Sequence, residues 1–190
     1  GPIGLAGVMG GQTTELSDKT TNIVIEAAHF DPAMIARGAR RHKLPSEASR
    51  RFERGVDPAL TLSASALAVK LLVEFGGGKI EPGMTITGEI PAQPEIRLAV
   101  DLPTRVTGIE ISAKEVISAL ERNGCAVEES GGQLTVTPPS WRLDMNDPYD
   151  VVEEVLRVIG YDKVPSVLPQ APVGKGRSKT QSLRRRISIV

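Results

Sequence analysis

Between Thr87 and Pro94 the hydrophobic pattern stops: the segment holds Pro91, Pro94 and Gly88 and has neither a helical nor a strand period. Proline removes a backbone donor and disfavours helix in the residue before it, so no helix or central strand runs through this point. A length of 190 residues suits one ordinary domain or two small ones, and the break favours two. The boundaries predicted are residues 1–90 for a first block, 91–168 for a second, and 169–190 for a linker and the start of a further unit. The expected class is α/β in the broad sense, α+β in detail, with a partial domain of mixed strands and helices followed by a small winged-helix-like domain.

In the first block, Leu5-Ala6-Gly7-Val8-Met9-Gly10-Gly11 places small-residue turns around a short apolar stretch. Asn22 to Ala28, rich in β-branched residues, reads as a buried strand. Asp31-Pro32 supplies an N-cap and a first-turn proline for a helix reaching about Lys43. A second helix is predicted from Glu47 to Arg54, closed by Gly55. A third opens at Asp57-Pro58 and lines up Leu60, Ala64, Leu67, Ala68, Leu71, Leu72 and Phe75 before Gly76-Gly77-Gly78.

The second block reads as a strand (Glu95 to Val100), a loop with Pro103 and Gly108, and a helix from Ser112 to Asn123. Ser112 and Glu115 form a capping box at its start. A hairpin around Ser130-Gly131-Gly132 follows, then a helix from about Pro148 to Ile159. Aromatic residues are only 3% of the chain. The cores are therefore built from Leu, Val, Ile and Ala, and few rings are left to stack on bases.

The single cysteine, Cys125, rules out an internal disulfide and a Cys-rich zinc site; its apolar neighbours make it a buried structural thiol. No uninterrupted run of 18 apolar residues and no signal-peptide pattern occurs, so a soluble cytoplasmic protein without a membrane span is the default. The chain opens without Met and stops as a basic helical pattern begins, and it is expected to be an internal fragment of something longer.

Two charged clusters carry candidate chemistry. Asp150, Glu153 and Glu154 stand at i, i+3 and i+4 of a predicted helix, with Asp144 in the loop before it. Magnesium binds a few hard oxygens and keeps several waters, so these four carboxylates are candidate ligands. The competing reading is structural: Asp147 as N-cap, Pro148 as first residue, Asp150 against the helix dipole, and Arg157 paired with Glu153 or Glu154.

The second cluster is basic. Arg37, Arg40, Arg41, His42, Lys43, Arg50, Arg51 and Arg54 span two helices, opposed only by Glu47 and Glu53. Such a run suits a phosphate backbone, or is a solvated face with internal ion pairs. His42 has no visible carboxylate to orient it as a base. The glycines at Gly7, Gly10 and Gly11 match no nucleotide-binding loop and allow close backbone approach. Trp141 either anchors the hairpin to the last helix or stacks on a base.

Taken together, Gly7-Val8-Met9-Gly10-Gly11, Ala39-Arg40-Arg41-His42, Arg51 to Pro58, Pro139-Ser140-Trp141-Arg142-Leu143-Asp144, and Glu153-Glu154-Val155 before Gly160-Tyr161 resemble one family in order and spacing. It is the β subunit of bacterial phenylalanyl-tRNA synthetase. The resemblance implies that residues 1 to about 90 are the C-terminal half of an editing domain that hydrolyses tyrosine wrongly attached to the phenylalanine tRNA. Residues from about 95 to 167 are then a small domain with a DNA-binding-like fold.

By the same resemblance Glu26 recognises the tyrosine hydroxyl, Ala48 shapes the pocket, Ser46 stands where relatives often carry Thr, and Gly10 and Gly11 border the site. Asp144, Asp150, Glu153 and Glu154 fall on magnesium positions shared with an α subunit, the partner in an α2β2 complex with the tRNA. ATP-dependent aminoacylation belongs to that α subunit. The fragment alone is not expected to aminoacylate, and its editing site is expected to lack an upstream half.

The basic residues Arg37, Arg40, Arg41, Arg50 and Arg51 are the candidate RNA contacts. Two other functional classes are a stand-alone nucleic-acid-binding module and a scaffold for subunit assembly. Against the first, Glu115 and Glu121 offset Lys114 and Arg122 on the helix that would read a duplex.

Overall fold

The computed structural model describes residues 1–168, 174 and 176–189. Strands β1 (Gly4–Leu5) and β2 (Met9–Gly10) pair antiparallel, with Leu5 opposite Met9. The turn between them needs glycine at Gly7 twice over. Its φ is +67°, and a Cβ there would lie 2.6 Å from Ile35 Cδ1 and 2.8 Å from Phe30 Cδ2.

Helix α1 (Pro32–His42) starts as its residues dictate, with the Asp31 side chain accepting from the Met34 N–H at 2.8 Å. It ends at Lys43, a non-glycine residue in the left-handed region at φ 55°. Helix α2 (Glu47–Phe52) is capped by Ser46 and stops before the predicted Arg54. Gly55, at φ +92°, marks the reversal instead. Val8, Ile35 and Ala39 form a small core, flanked by Phe30, Leu44 and Phe52. The Phe30 and Phe52 rings meet edge to face, 4.9 Å apart.

Two expectations for this block fail. Asn22 to Ala28 is not a strand: it has no partner strand among the described residues, and Val24 is 98% exposed. A strand is stable only when its backbone groups are paired, so β-branched content alone leaves an extended, irregular chain. Helix α3 (Thr61–Gly76) forms where predicted, after a capping turn at Asp57, but buries none of its residues; Phe75 is 79% exposed.

The Pro58–Gly76 span, 19 residues long, is also long and apolar enough to cross a membrane. Lys70 and Glu74 interrupt the run, so the stretch is not a continuous apolar segment. One helix of this kind is weak evidence for insertion. Residues 77–95 carry no regular structure.

The second block is better packed. Strand β3 (Ile96–Ala99) is followed by a short helix α4 (Leu102–Thr107), then α5 (Ala113–Arg122), β4 (Ala126–Ser130), β5 (Gln133–Thr137) and α6 (Pro148–Ile159). Helix α4 replaces the predicted loop: Pro103 sits in its first turn, where the missing N–H costs nothing, and Gly108 closes it at φ +73°. The sheet is antiparallel in the order β3-β5-β4, with Leu98 opposite Leu134 and Ser130 opposite Gln133. Gly131 and Gly132 both have positive φ, as the two-residue hairpin requires.

One face of the sheet and helices α5 and α6 enclose Ile96, Leu98, Val116, Leu120, Leu134, Val136, Met145, Val151 and Val155. Cys125 is buried among them as expected, and desolvation pushes its thiol pKa up. The mixed α+β class and the helix–hairpin–helix order agree with the sequence reading. Helix α7 (Lys179–Ile189) is exposed. The predicted linker lies partly outside the described residues.

Candidate functional site

Ser46 is the best-anchored of the residues expected to form an editing pocket. Its hydroxyl accepts from the Ser49 N–H at 3.0 Å, capping α2, and donates to the Val8 carbonyl, which ties α2 to the β1–β2 hairpin. Ser49, almost fully buried, donates in turn to the Ser46 carbonyl at 2.9 Å. Gly11 closes the hairpin by donating its N–H to the Ile3 carbonyl at 2.8 Å; a Cβ there would come within 2.8 Å of that oxygen. Gly10 faces open space.

One hydrogen bond between residues far apart in sequence thus ties the start of α2, which carries Ser46 and Ala48, to the hairpin that carries Gly10 and Gly11. Glu26 is not joined to them: it is exposed in the irregular segment and its side chain makes no hydrogen bond among the described residues.

His29 escaped sequence reading. Its Nδ1 lies 2.7 Å from the Val56 carbonyl, which can only accept, so Nδ1 carries the proton and the segment leading into α1 is held to the loop after α2. Nothing in Ala27-Ala28-His29-Phe30 signals this contact. A depression of about 270 Å³, lined by Leu5, Val8, Phe30, Met34, Ile35, Gly38 and His42 among others, opens beside the hairpin. None of the residues expected to form the editing pocket lines it.

Arg37, Arg40, Arg41 and Arg50 are exposed without a salt bridge among the described residues. Arg51 pairs with Glu47 at 3.0 Å, both side chains being more than two-thirds exposed, a contact worth little in water. Most of the positive charge on α1 and α2 therefore faces solvent.

The acidic cluster resolves into two separate arrangements. Asp147 caps α6 by accepting from the Tyr149 and Asp150 N–H groups, and Asp150 reaches back to accept from the Asn146 and Asp147 N–H groups at 2.8 and 3.0 Å. Glu154 points the other way, into the domain. Its Oε1 accepts from Arg142 at 2.6 Å and Arg157 at 3.1 Å, and its Oε2 from Asn123 at 3.1 Å.

Arg142 also grips both oxygens of Asp144 at 2.8 Å. These guanidinium contacts hold the Asp144 and Glu154 carboxyls below their usual range, and the two carboxylates raise Arg142 in turn. Glu153 is exposed.

As folded, these residues do not fit a magnesium ion: the buried Glu154 and the more exposed Asp144 are both neutralised by Arg142, with Arg157 also on Glu154. Among the described residues no group of three or more acidic, His or Cys side chains is placed to hold a metal. Helical spacing had put Asp150, Glu153 and Glu154 on one face; capping and burial send them three ways.

Trp141 is 62% exposed. Only the edge of its ring covers the turn at Gly124, where a Cβ would lie 3.2 Å from it, and Met145 supplies the core bulk expected of the tryptophan. A shallow groove between α5 and α6 is lined by Lys114, Arg122 and Lys163, with Glu115 bound to Ser112. The charge balance on this face is more positive than the sequence count of α5 implies.

Residues 96–161, which hold the three-stranded sheet and its helices, match the sequence model described as "tRNA synthetase B5 domain", and residues 1–77 match the "B3/4 domain". This pair of modules places the chain among the aminoacyl-tRNA synthetases. It is 50% identical over 183 residues to the phenylalanine-tRNA ligase β subunit of Corynebacterium efficiens, covering 96% of this chain and 22% of that protein. It is likewise 50% identical over 188 residues to the β subunit from Thermobifida fusca, covering 98% of this chain and 22% of that one.

An N-terminal fragment of the Pyrococcus horikoshii phenylalanyl-tRNA synthetase β subunit is 28% identical. It covers 37% of this chain and 20% of that one, with a TM-score of 0.34. The chain belongs to the phenylalanine-tRNA ligase β-subunit family, of which it spans a B3/4 portion followed by a B5 domain. It extends over about a fifth of the length of its curated relatives.

Proposed function

We propose that this chain serves in a phenylalanine-tRNA ligase as part of the β subunit's editing module, joined to a domain that helps assemble the subunits. The observation that carries this reading is the match of both modules, in order, to proteins named as that subunit, at 50% identity across 96% of the chain. In this reading the complete cytoplasmic α2β2 enzyme attaches phenylalanine to its tRNA using ATP and hydrolyses mischarged Tyr-tRNA. The 190-residue chain does not aminoacylate by itself. Residues 1–90 belong to the editing module, 91–168 to the small domain and 169–190 to the start of the next unit.

The chemistry asked of the editing site is discrimination by one hydroxyl. A pocket that hydrogen-bonds the tyrosine hydroxyl leaves its own polar group unpaired when phenylalanine enters, which penalises the correct amino acid far more than apolar contact could. Glu26 is assigned as the acceptor for that hydroxyl and Ala48 as the small residue that leaves room for the ring. Ser46, bonded to Val8, holds the α2 start against the hairpin, where Gly10 and Gly11 leave the backbone approachable. The bond from Ser46 to Val8 supports this grouping.

Arg37, Arg40, Arg41, Arg50 and Arg51 are assigned to tRNA phosphates, supported by the exposure of all five. Magnesium used by the complete enzyme is given no role in these steps.

The test uses the full-length α2β2 enzyme. Glu26→Ala is expected to slow Tyr-tRNA hydrolysis by at least about tenfold, one lost hydrogen bond to a charged group, while leaving Phe-tRNA synthesis unchanged. Hydrolysis at the wild-type rate would remove Glu26 from the site.

A further inference from the structure

Three segments of the small domain converge on one arginine. Arg142 lies in the turn that links β5 to α6, and its own N–H donates to the Pro139 carbonyl at 2.9 Å. Its side chain is 19% exposed, and the Glu154 carboxylate it binds, on α6, is 7% exposed. Glu154 also takes the Asn123 amide, from the residue that ends α5. The network therefore fastens the end of α5, the linking turn and α6 to one another.

Its charges are balanced. Arg142 and Arg157 stand against Asp144 and Glu154, and both oxygens of each carboxylate are already accepting. A divalent ion brought to these oxygens would face a guanidinium at contact distance, and like charges so close repel strongly at Glu154, where water is scarce. Asp150, the carboxylate at the start of α6, is committed to the backbone N–H groups ahead of the helix.

From this geometry we propose that Arg142 is the resident cation of the small domain. It takes the position between Asp144 and Glu154 that a metal ion would need, so the domain folds and remains folded without a divalent cation. Arg142 is a positioning residue: it holds α5, the turn and α6 in register through Glu154. A bidentate fork suits this better than a point charge, because two parallel N–H groups fix Asp144 while the second hydrogen on Nη2 reaches Glu154.

The experiment uses the 190-residue chain. Melting of the wild type in excess EDTA and in 10 mM MgCl2 is expected at the same midpoint, within about 1 °C. A magnesium-dependent rise of several degrees would overturn the proposal. Arg142→Met, which leaves Glu154 buried with only Arg157 and Asn123, is expected to melt at least about 10 °C lower in EDTA. Unlike the wild type, it should regain part of the loss in MgCl2, because Asp144 is then free and Glu154, still held by Arg157 and Asn123, has lost its shortest guanidinium contact.

A drop without any magnesium response would make Arg142 an ordinary packing residue and would also overturn the idea. If Arg142→Met does not fold, Arg142→Lys carries the test. It is expected to melt below the wild type with no magnesium response, and a midpoint equal to the wild type would defeat the claim for the fork.

Discussion

The two blocks of this chain are built from similar local signals and end in different states of burial. In residues 1–77 side-chain caps at Asp31, Ser46 and Asp57 start three helical segments, as Ser112 and Asp147 do in the small domain. Yet the buried hydrophobic core of the first block is Val8, Ile35 and Ala39, whereas α5, α6 and the sheet of the second enclose a continuous core. Helix α3 is the most apolar helix described and buries nothing; α6, with a charge in every turn, buries Val151, Val152 and Val155. Caps and propensity form a helix locally, but burial requires a facing surface, and only the small domain contains both faces.

The largest effect that sharpens this contrast is in the core of the small domain. Leu120→Ala, at a fully buried site, is expected to cost about 2–5 kcal/mol, read by loss of amide-exchange protection across α5 and β5. The matching change in the first block, Leu67→Ala on exposed α3, is expected to cost under about 0.5 kcal/mol. An equal loss at the two sites would show that α3 packs in solution and would break the comparison.

A smaller effect falls at the junction. Gly55 has φ +92°, and a Cβ would sit 2.6 Å from Leu143 Cδ1 of the second block. Gly55→Ala is therefore expected to cost about 1–2 kcal/mol, mostly from backbone strain since the leucine end can shift. Faster amide exchange in both Val56 and the turn at Leu143 would show that the blocks lean on each other here; no change would make them independent.

The smallest effect is a gain. Lys43 ends α1 at φ 55°, a conformation glycine adopts without cost. Lys43→Gly should stabilise α1 by about 0.5–1 kcal/mol, seen as slower exchange in its last turn. Destabilisation would mean that the lysine side chain makes a contact that outweighs its backbone strain.

Legibility followed the range of the interaction. The capping box of Ser112 with Glu115, the Asp31-Pro32 helix start and the glycine pair of the hairpin were readable, because each involves groups within four residues. The strand expected at Asn22 to Ala28 was not, because its apolar residues describe what a strand needs but not whether a partner is present. Helix α4 was missed because Pro103 signals a loop as often as a first turn. Of the candidate site, the cluster at Asp144 to Glu154 was found, but its division was not. Spacing treats Glu153 and Glu154 as neighbours on one face, while the structure exposes one and buries the other against Asn123 and Arg142.

The sequence by itself determined where α1, α2, α5 and α6 begin, where the hairpin turns, and the family resemblance that five short motifs carry together. Those features rest on backbone dihedrals and near-neighbour hydrogen bonds, which depend on residue type alone. Only the tertiary structure decided that β3 pairs with β5, that Ser46 reaches Val8, that His29 holds Val56, and that Arg142 stands among carboxylates expected to bind a metal. Each of these joins groups distant in the chain or sets one of several possible partners, and burial selects among them by the cost of leaving a charge or a backbone group unpaired.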